Sequence, residues 1–266
     1  MDDARVLVAD GLSKSFGKVD ALRGLTCAAV AGEVVGLLGP NGAGKTTTLK
    51  LLLGMLRPSA GRAEVLGLDC TRDAQQVRAV LGYTPDEPSF YDFLTGRETV
   101  DFVADVRGLT RADVWRRVEP LAARLGLTGG AGDDEGKLDA LTGGYSHGMK
   151  KKLALVLALA HAPRVLLLDE PTNGLDPPSA AAVRELLRQL AGAGAAILVS
   201  THLLDMADRL CDRVLVLHAG RLLLDGAPAA MREAAGVRPD APLEEAFLPL
   251  VERGAWGGAS GEPAAG

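Results

Sequence analysis

The sequence has 266 residues, of which 47% are apolar, and a formal net charge of −5. A chain of this length can form one large α/β domain, with or without an inserted subdomain. The negative charge argues against nucleic acid as a partner, because a surface that binds a phosphate backbone normally makes the balance positive. The three cysteines, Cys27, Cys70 and Cys211, are widely spaced without a CxxC pair. This argues against a disulfide framework or a zinc cluster and favours a reducing cytosol.

No segment predicts a signal peptide or a membrane span. The first ten residues carry three acids, two of them at the start, and only a short apolar stretch. The strongest apolar region, residues 153–168, is interrupted by His161, Pro163 and Arg164 and is too short for a membrane helix. A role at a membrane would therefore need a separate protein that crosses it.

Apolar runs alternate with amphipathic stretches, which predicts a parallel sheet with crossover helices. Residues 34–38 are predicted to form a buried strand, and residues 44–53 the helix that follows it. Residues 165–168 and 196–200 are predicted as two further buried strands. Between them, apolar residues recur at helical spacing in residues 179–191.

The middle of the chain, about residues 90–160, is predicted to be a helical subdomain inserted between strands of the sheet. Within it, residues 129–136 form a loop rich in glycine and acids. The main domain is expected to cover residues 1–226. Residues 227–266 are expected to form a C-terminal tail, and residues 254–266, rich in Gly, Ala, Ser and Pro, are predicted to be disordered.

The first chemical motif fits G-x-x-x-x-G-K-[ST] between a strand and a helix, which is the context that a phosphate-binding loop requires. Glycines let backbone N–H groups curl around phosphate oxygens, and the helix N-terminus adds positive potential. Lys45 is predicted to reach the β- and γ-phosphates, and the Thr46 hydroxyl to bind Mg²⁺. A glycine turn beside a surface lysine is the alternative. The predicted ATP-binding loop comprises Gly39, Pro40, Asn41, Gly42, Ala43, Gly44, Lys45, Thr46 and Thr47.

Two carboxylates follow the second predicted buried strand. Asp169 and Glu170 lie at its carboxyl end, where open α/β sheets bind their ligands. Asp169 is predicted to hold Mg²⁺, usually through water, and Glu170 to polarise the water that attacks the γ-phosphate. The alternative is an ordinary strand end with an acidic cap, which the upstream loop makes less attractive.

With these motifs in this order, the sequence resembles the nucleotide-binding subunits of ABC transporters over about residues 6–226. Within that family it is similar to the stand-alone ATPase subunits of drug and antibiotic exporters. The resemblance implies an α/β fold: a P-loop NTPase core with a mainly parallel sheet, an N-terminal antiparallel β portion and the inserted helical subdomain. It also implies ATP and Mg²⁺ as ligands.

Two segments compete for the family's signature, which is usually LSGGQ. In the family, the signature serine lies 23 residues before the aspartate that ends the second strand. Here 169 − 146 = 23, whereas 169 − 142 = 27. Spacing therefore selects Ser146 and Gly148 over Thr142, and the resemblance implies that they contact the ATP held by a partner subunit. The positions that depart from consensus are Tyr145, His147 and Met149.

Ser146 is predicted to begin a helix and to offer a hydroxyl and free N–H groups to an anion. The first turns of that helix carry three lysines, Lys150, Lys151 and Lys152. This is unfavourable, because the N-terminal end of a helix dipole is positive and disfavours cations. Either a nearby polyphosphate compensates for them, or they point into water.

Asp86 stands where the family's GYxPQ loop usually has a magnesium-contacting glutamine. It is therefore a candidate Mg²⁺ ligand, directly or through water, and a loop cap is the alternative. In the family this loop leads to the surface that meets the membrane subunit. Residues 87–96, with Phe90, Tyr91 and Phe93, are the candidate coupling patch, unless these aromatics belong to the subdomain core.

Three smaller matches complete the resemblance. Phe16 occupies the position of the aromatic residue that stacks on adenine, with a core phenylalanine as the alternative. His202 matches the switch histidine that contacts the γ-phosphate, and is assigned with Glu170 to catalysis. The residues that match the loop crossing the dimer interface are Asn173, Gly174, Leu175 and Asp176.

The resemblance implies an ATPase that works as a dimer, with a second copy or a related chain, on the cytoplasmic face of the membrane. It would drive transport, by likeness export, of an unidentified substrate through a separate integral membrane permease subunit, without nucleic acid. The alternative is a soluble ABC-type ATPase outside transport. Against it, the chain has neither the long coiled-coil insertion of the DNA-repair members nor the two ATPase halves usual in ribosome-acting ones. Glu170 and His202 argue against a non-hydrolysing sensor.

Overall fold

The computed structural model describes residues 5–129 and 136–256; residues 130–135 of the predicted glycine-rich loop lie outside the described residues. The strands are β1 (Arg5–Phe16), β2 (Val19–Val30), β3 (Val34–Leu38), β4 (Ala60–Val65), β5 (Leu68–Asp69), β6 (Leu81–Thr84), β7 (Val165–Asp169), β8 (Ala196–Thr201), β9 (Arg213–His218) and β10 (Arg221–Gly226). The α-helices are α1 (Lys45–Leu52), α2 (Ala74–Val80), α3 (Gly96–Val106), α4 (Arg111–Arg124), α5 (His147–Leu159), α6 (Pro177–Gly192), α7 (Leu204–Leu210), α8 (Pro228–Ala235) and α9 (Leu243–Trp256).

A central sheet has the strand order β10-β9-β3-β8-β7-β6. Within this sheet, adjacent strands from β9 to β6 pair in parallel, and β10 pairs antiparallel with β9 at one edge. Every residue of β3, β7 and β8 is buried. Continuous apolar runs are expected for parallel strands covered on both faces. The three strands predicted from such runs are therefore confirmed.

The two faces of this sheet belong to two different hydrophobic cores. Along β7, Leu166 and Leu168 pack into the core that also contains the C-terminal helices. Val165 and Leu167 pack into the core shared with β1, β2 and α1. This alternation follows from the pleat of a strand, which turns successive side chains to opposite faces.

The N-terminal antiparallel portion is confirmed as a sheet of order β2-β1-β4-β5. It is attached to the loop after β3 through the turn between β9 and β10. Gly220 donates its N–H to the Ala43 carbonyl at 3.1 Å, and its own carbonyl accepts from the Arg23 N–H at 2.8 Å. These bonds fix the predicted phosphate loop against β2.

Helices α3, α4 and α5 lie between β6 and β7, which confirms the helical insertion. The face predicted for α4 packs inward, since Val114 and Val118 are fully buried. Helix α3 begins with a capping box: the Glu98 N–H donates to the Thr95 hydroxyl at 3.1 Å, and the Thr95 N–H donates to the Glu98 carboxylate at 2.8 Å. Such a reciprocal pair satisfies two helix-end donors and fixes where the helix begins.

The C-terminal region is part of the core rather than a separate tail. Met231 of α8 and both Leu243 and Ala246 of α9 are fully buried in the cluster that contains the main sheet. The predicted division after Gly226 therefore does not mark a structural boundary. Helix α9 reaches Trp256, inside the stretch 254–266 that is predicted to be disordered. Residues 257–266 lie outside the described residues.

None of the helices in the described part of the chain combines the length and the apolar character that a membrane crossing requires.

His161 lies just after α5 and is a partly buried histidine. Its Nε2 donates to the Leu81 carbonyl at the start of β6, at 3.1 Å. Burial lowers the pKa of His161 to about 4, and the nearby Arg107 charge acts in the same direction. The ring is therefore neutral in the folded protein near neutral pH.

The stability contributed by neutral His161 should depend on pH. Because the folded-state pKa is below the unfolded value, this contribution is complete above about pH 6.5 and is lost as the pH falls toward 4. His161→Gln keeps a donor but does not titrate. Between pH 7 and pH 5, wild type should lose on the order of 1–2 kcal/mol more unfolding free energy than this variant in urea denaturation. Parallel pH curves for the two proteins would contradict the assignment.

Candidate nucleotide-binding and hydrolysis site

The loop between β3 and α1 requires glycine at two positions for steric reasons. A Cβ on Gly39 would lie 2.4 Å from the Leu217 carbonyl oxygen. A Cβ on Gly44 would lie 2.6 Å from the Ala21 carbonyl oxygen, and Gly44 has a φ of 108°, which L side chains rarely adopt. The backbone is therefore held against two neighbouring strands, as expected for a loop that presents N–H groups to an anion.

Lys45 lies inside this loop. The residue is 7% exposed, and its Nζ donates to the carbonyls of Gly39 at 2.6 Å and Pro40 at 3.2 Å. Burial lowers the pKa of Lys45, while the charges of Glu170 and Asp169 oppose that shift. A buried ammonium between carbonyl oxygens and two carboxylates is placed to bind a polyanion.

Thr46 and Asp169, predicted as metal ligands on separate segments, are in direct contact. The Thr46 hydroxyl donates to Asp169 Oδ2 at 3.0 Å, and the Ser200 hydroxyl bonds the other carboxylate oxygen. Magnesium sites commonly use one or two protein oxygens and complete the shell with phosphate and water. The hydroxyl and carboxylate fit that pattern. The described residues contain no cluster of three or more His, Cys, Asp or Glu that could hold a metal by itself.

Glu170 and His202, the predicted catalytic pair, are also brought together. Glu170 Oε1 accepts from the His202 N–H at 2.9 Å and lies 2.7 Å from His202 Nδ1, while Oε2 accepts from the Thr201 hydroxyl at 2.9 Å. The carboxylate is almost fully buried, whereas the His202 side chain is 46% exposed. Both carboxylate oxygens are therefore held at the carboxyl edge of the sheet.

The backbone of Glu170 adopts an uncommon conformation. Its φ is 47°, in the left-handed region, which costs a non-glycine residue on the order of 1–3 kcal/mol. The Glu170 N–H donates to the Ser200 carbonyl at 2.9 Å, which pins the residue to the end of β8. Strain of this kind persists only where surrounding contacts fix it, and it concentrates at functional sites.

Asp86 pairs with a lysine in this structure. Its Oδ1 accepts from Lys151 Nζ at 2.8 Å. Lys151 is 4% exposed, so the expectation that the lysines of this helix point into water or toward a polyphosphate is wrong for this one. The Asp86 charge also raises the pKa of Lys45, against the larger effect of burial.

The two candidates for the signature serine differ in exposure. Ser146 is exposed and caps α5, accepting from the Met149 N–H at 3.2 Å. Thr142 is fully buried and donates to the Tyr91 carbonyl at 2.9 Å. Gly148 is partly exposed in the first turn of α5. Ser146 thus stands at an accessible helix N-terminus, while Thr142 holds a loop.

The adenine candidate and the interface loop are both accessible. Phe16 is 48% exposed at the end of β1, with Lys14 Nζ 5.0 Å from its ring centroid, which excludes the core alternative. Gly174 is exposed and its α-carbon faces the His147 ring of the signature segment. Asp176 caps α6 through a 2.8 Å bond from the Ser179 N–H. Asn173 and Leu175 are half-buried.

Two residues of the site, Ser200 and Thr201, carry no role in the sequence prediction, and Lys151 lies elsewhere than expected. Ser200 and Thr201 bond the carboxylates of Asp169 and Glu170, respectively. The sequence does offer a signal for Ser200 and Thr201, because their two hydroxyls come directly before His202 at the end of a predicted strand. Nothing in a run of three lysines distinguishes the buried one.

A strand-loop-helix phosphate loop after β3, in contact with an acidic pair at the end of β7 on the same edge of the sheet, defines a P-loop nucleoside triphosphatase. A family model described as ABC transporter matches residues 22–173. The chain belongs to this family, as a subunit that binds and hydrolyses ATP.

Named relatives support the same assignment. The Nod factor export ATP-binding protein I of Paraburkholderia xenovorans (strain LB400) is 39% identical over 92% of this chain and 81% of its own. The daunorubicin resistance ATP-binding protein DrrA3 of Streptomyces coeruleorubidus is 38% identical over 92% of this chain and 76% of its own. A solved structure of an ATP-binding subunit of an ABC transporter superposes with a TM-score of 0.82, at 33% identity, covering 92% of this chain and 99% of that one.

Proposed function

We propose that this ATPase drives export of a substrate through a separate integral membrane subunit, working as a dimer at the cytoplasmic face of the membrane. The observation that carries the hydrolytic part is the fixed Glu170 carboxylate beside Lys45, Thr46 and Asp169 at one edge of the sheet. Relatives named for Nod factor export and daunorubicin resistance support the export direction.

The division of labour follows from the contacts. Lys45 and the loop N–H groups bind the β- and γ-phosphates, and Glu170 orients the attacking water and accepts its proton. His202, half-exposed beside Glu170, is the residue assigned to contact the γ-phosphate. Thr46 and Asp169 would hold Mg²⁺, which would supply charge neutralisation at the phosphate oxygens. Phe16 stacks on the adenine.

The second ATPase subunit completes the site. Ser146 and Gly148 are accessible at the N-terminus of α5, where unpaired N–H groups favour an anion. The exposed Gly174 beside them belongs to the loop assigned to the dimer interface. In the proposed dimer, these residues close over the ATP held by the partner's phosphate loop.

Glu170→Gln should abolish turnover without abolishing ATP binding. The amide cannot accept the proton, so phosphate release should fall by roughly 100-fold or more. The bound ATP should then hold two copies together, giving a dimer in size-exclusion chromatography with ATP. Glu119→Gln, on the exposed side of α4, is the matched control and should behave as wild type. A mutant saturated with ATP that stays monomeric would count against the dimer mechanism.

Ser146→Arg should impair turnover far more than Thr142→Val. The first places a bulky cation at the anion-binding helix tip, so phosphate release should fall at least ~10-fold. The second removes one of the two donors to the Tyr91 carbonyl, which keeps the Leu94 N–H at 2.9 Å, so stability should fall by about 1 kcal/mol at most and turnover per folded molecule should stay within ~3-fold. Equal losses of phosphate release in the two variants would overturn the choice of Ser146.

An apolar surface beside the site is the proposed contact with the membrane subunit. Tyr91, Phe93 and Phe102 are exposed, and the Tyr91 ring centroid lies 5.6 Å from that of Phe93 and 5.7 Å from that of Phe102. A groove of about 570 Å³ runs beneath Tyr91 and Phe102, while Phe90 packs into the core. Clustered exposed aromatics are typical of protein–protein contacts.

The double variant Tyr91→Ser/Phe93→Ser should uncouple the subunit from the membrane. Basal phosphate release should stay within ~2-fold of wild type, while binding to membrane vesicles from the source organism, stripped of peripheral proteins, should weaken at least ~10-fold. Met55→Ser, which removes another exposed apolar side chain, is the control. Unchanged sedimentation of the double variant with vesicles would rule out this patch.

A further inference from the structure

Lys151 is a buried charge that the nucleotide chemistry described above does not use. Its side chain is 3% exposed, in the second turn of α5. A buried ammonium persists only where hydrogen-bonding partners replace its lost water. The identity of those partners therefore indicates what the lysine does.

Those partners lie on two segments of the site. Nζ donates to Asp86 Oδ1 at 2.8 Å and to the backbone carbonyl of Glu170 at 2.5 Å. One ammonium thus joins the loop after β6, the signature helix α5 and the turn after β7. The loop after β6 continues directly into the aromatic patch at Tyr91 and Phe93.

The carbonyl that Lys151 binds belongs to the strained residue of the site. Glu170 has a φ of 47°, and its N–H is fixed by the Ser200 carbonyl. Its own carbonyl is held by Lys151 and also accepts from the Asn173 N–H at 3.2 Å. With both ends of the residue fixed, the carboxylate keeps its direction toward Thr201 and His202.

We propose that Lys151 is a positioning residue for hydrolysis, which holds the backbone of Glu170 and couples it to Asp86. The charge of Asp86 then serves the ion pair with Lys151. This explains why a carboxylate stands where the family usually has a glutamine, and Asp86 is not the main magnesium ligand. This inference rests on the proposed function, since it assigns Glu170 as the base. Displacing the Asp86 loop would move the lysine and therefore the base.

The test uses the full chain and measures phosphate release, ATP and Mg²⁺ dependence, and thermal unfolding. Lys151→Met should lower kcat at least ~10-fold, with the KM for ATP within ~3-fold, because the base is misplaced while the phosphate loop is untouched. Lys151→Arg should recover most of kcat, since it keeps the charge and several donors. Lys50→Met, which removes an exposed lysine from the end of α1, should stay within ~2-fold.

Asp86→Asn distinguishes the ion pair from magnesium binding. It should lower kcat by ~3-fold, because a neutral oxygen still accepts from Lys151, and should leave the Mg²⁺ midpoint within ~2-fold. In the Lys151→Met background it should add less than ~2-fold, since the shared interaction is already lost. A Mg²⁺ midpoint shifted more than ~10-fold in Asp86→Asn alone would instead make Asp86 a metal ligand and overturn the inference.

Failure of this inference is separable from failure of the proposed function. A wild-type protein without ATPase activity, or one unaffected by Glu170→Gln, would refute the function itself. An active wild type that loses activity in Glu170→Gln, together with a Lys151→Met protein of normal kcat, would refute only the positioning role. If Lys151→Met does not fold, the comparison is made with Lys151→Arg and Asp86→Asn, singly and combined. Losses of kcat that simply add in the combined variant would contradict the coupling.

Discussion

The parallel register of β3, β7 and β8 is the constraint on which the site depends. Leu38 at the end of β3 lies opposite Thr201, and Asp169 at the end of β7 lies opposite Ser200. The phosphate loop, the acidic pair and His202 therefore begin at the same edge of the sheet. A slip of one residue would turn each strand's side chains to the other core, because the pleat repeats every two residues. The two separate hydrophobic cores therefore fix the register, and the register brings the site together.

The site also concentrates buried charge, which a fold normally avoids. Lys45, Lys151, Asp169 and Glu170 are only 4–7% exposed. Each has hydrogen-bond partners close by, which limits the cost of removing it from water. Replacing a whole buried ion pair with well-packed apolar residues often leaves stability unchanged or raises it. Their presence is therefore better explained by phosphate chemistry than by folding, and the strained backbone of Glu170 supports the same view.

Local sequence patterns predicted the parts of the fold that are locally encoded. The strand at Val34–Leu38 was predicted at its exact limits, because a continuous apolar run is bounded by a charge and a glycine. The helix predicted at residues 179–191 begins two residues earlier, where the Asp176 cap and Pro177 start it. The packing of α8 and α9 was missed, because which of their apolar residues become buried depends on how the helices lie against each other and against β9 and β10.

In the candidate site, too, some residues have a local sequence signature and others depend on tertiary packing. Glycine-lysine loops and acidic strand ends have signatures in the chain, so Lys45, Thr46, Asp169 and Glu170 could be selected from the sequence, and the structure brings them together. The partner of Asp86 was not predictable. Which of three successive lysines turns inward depends on how α5 lies against β6 and β7, and that is a property of the tertiary packing.

Helix α5 links the accessible and the buried parts of the site. Ser146 caps its exposed tip, and Lys151, five residues along and therefore about 7.5 Å further down the axis, contacts Asp86 and the Glu170 carbonyl. A helix moves largely as a rigid element, so a shift of the tip is carried to the lysine without any intervening chain of flexible side chains. In the proposed dimer, closure over the tip would therefore have a physical route to the Glu170 carboxylate, the proposed base, through the first two turns of one helix.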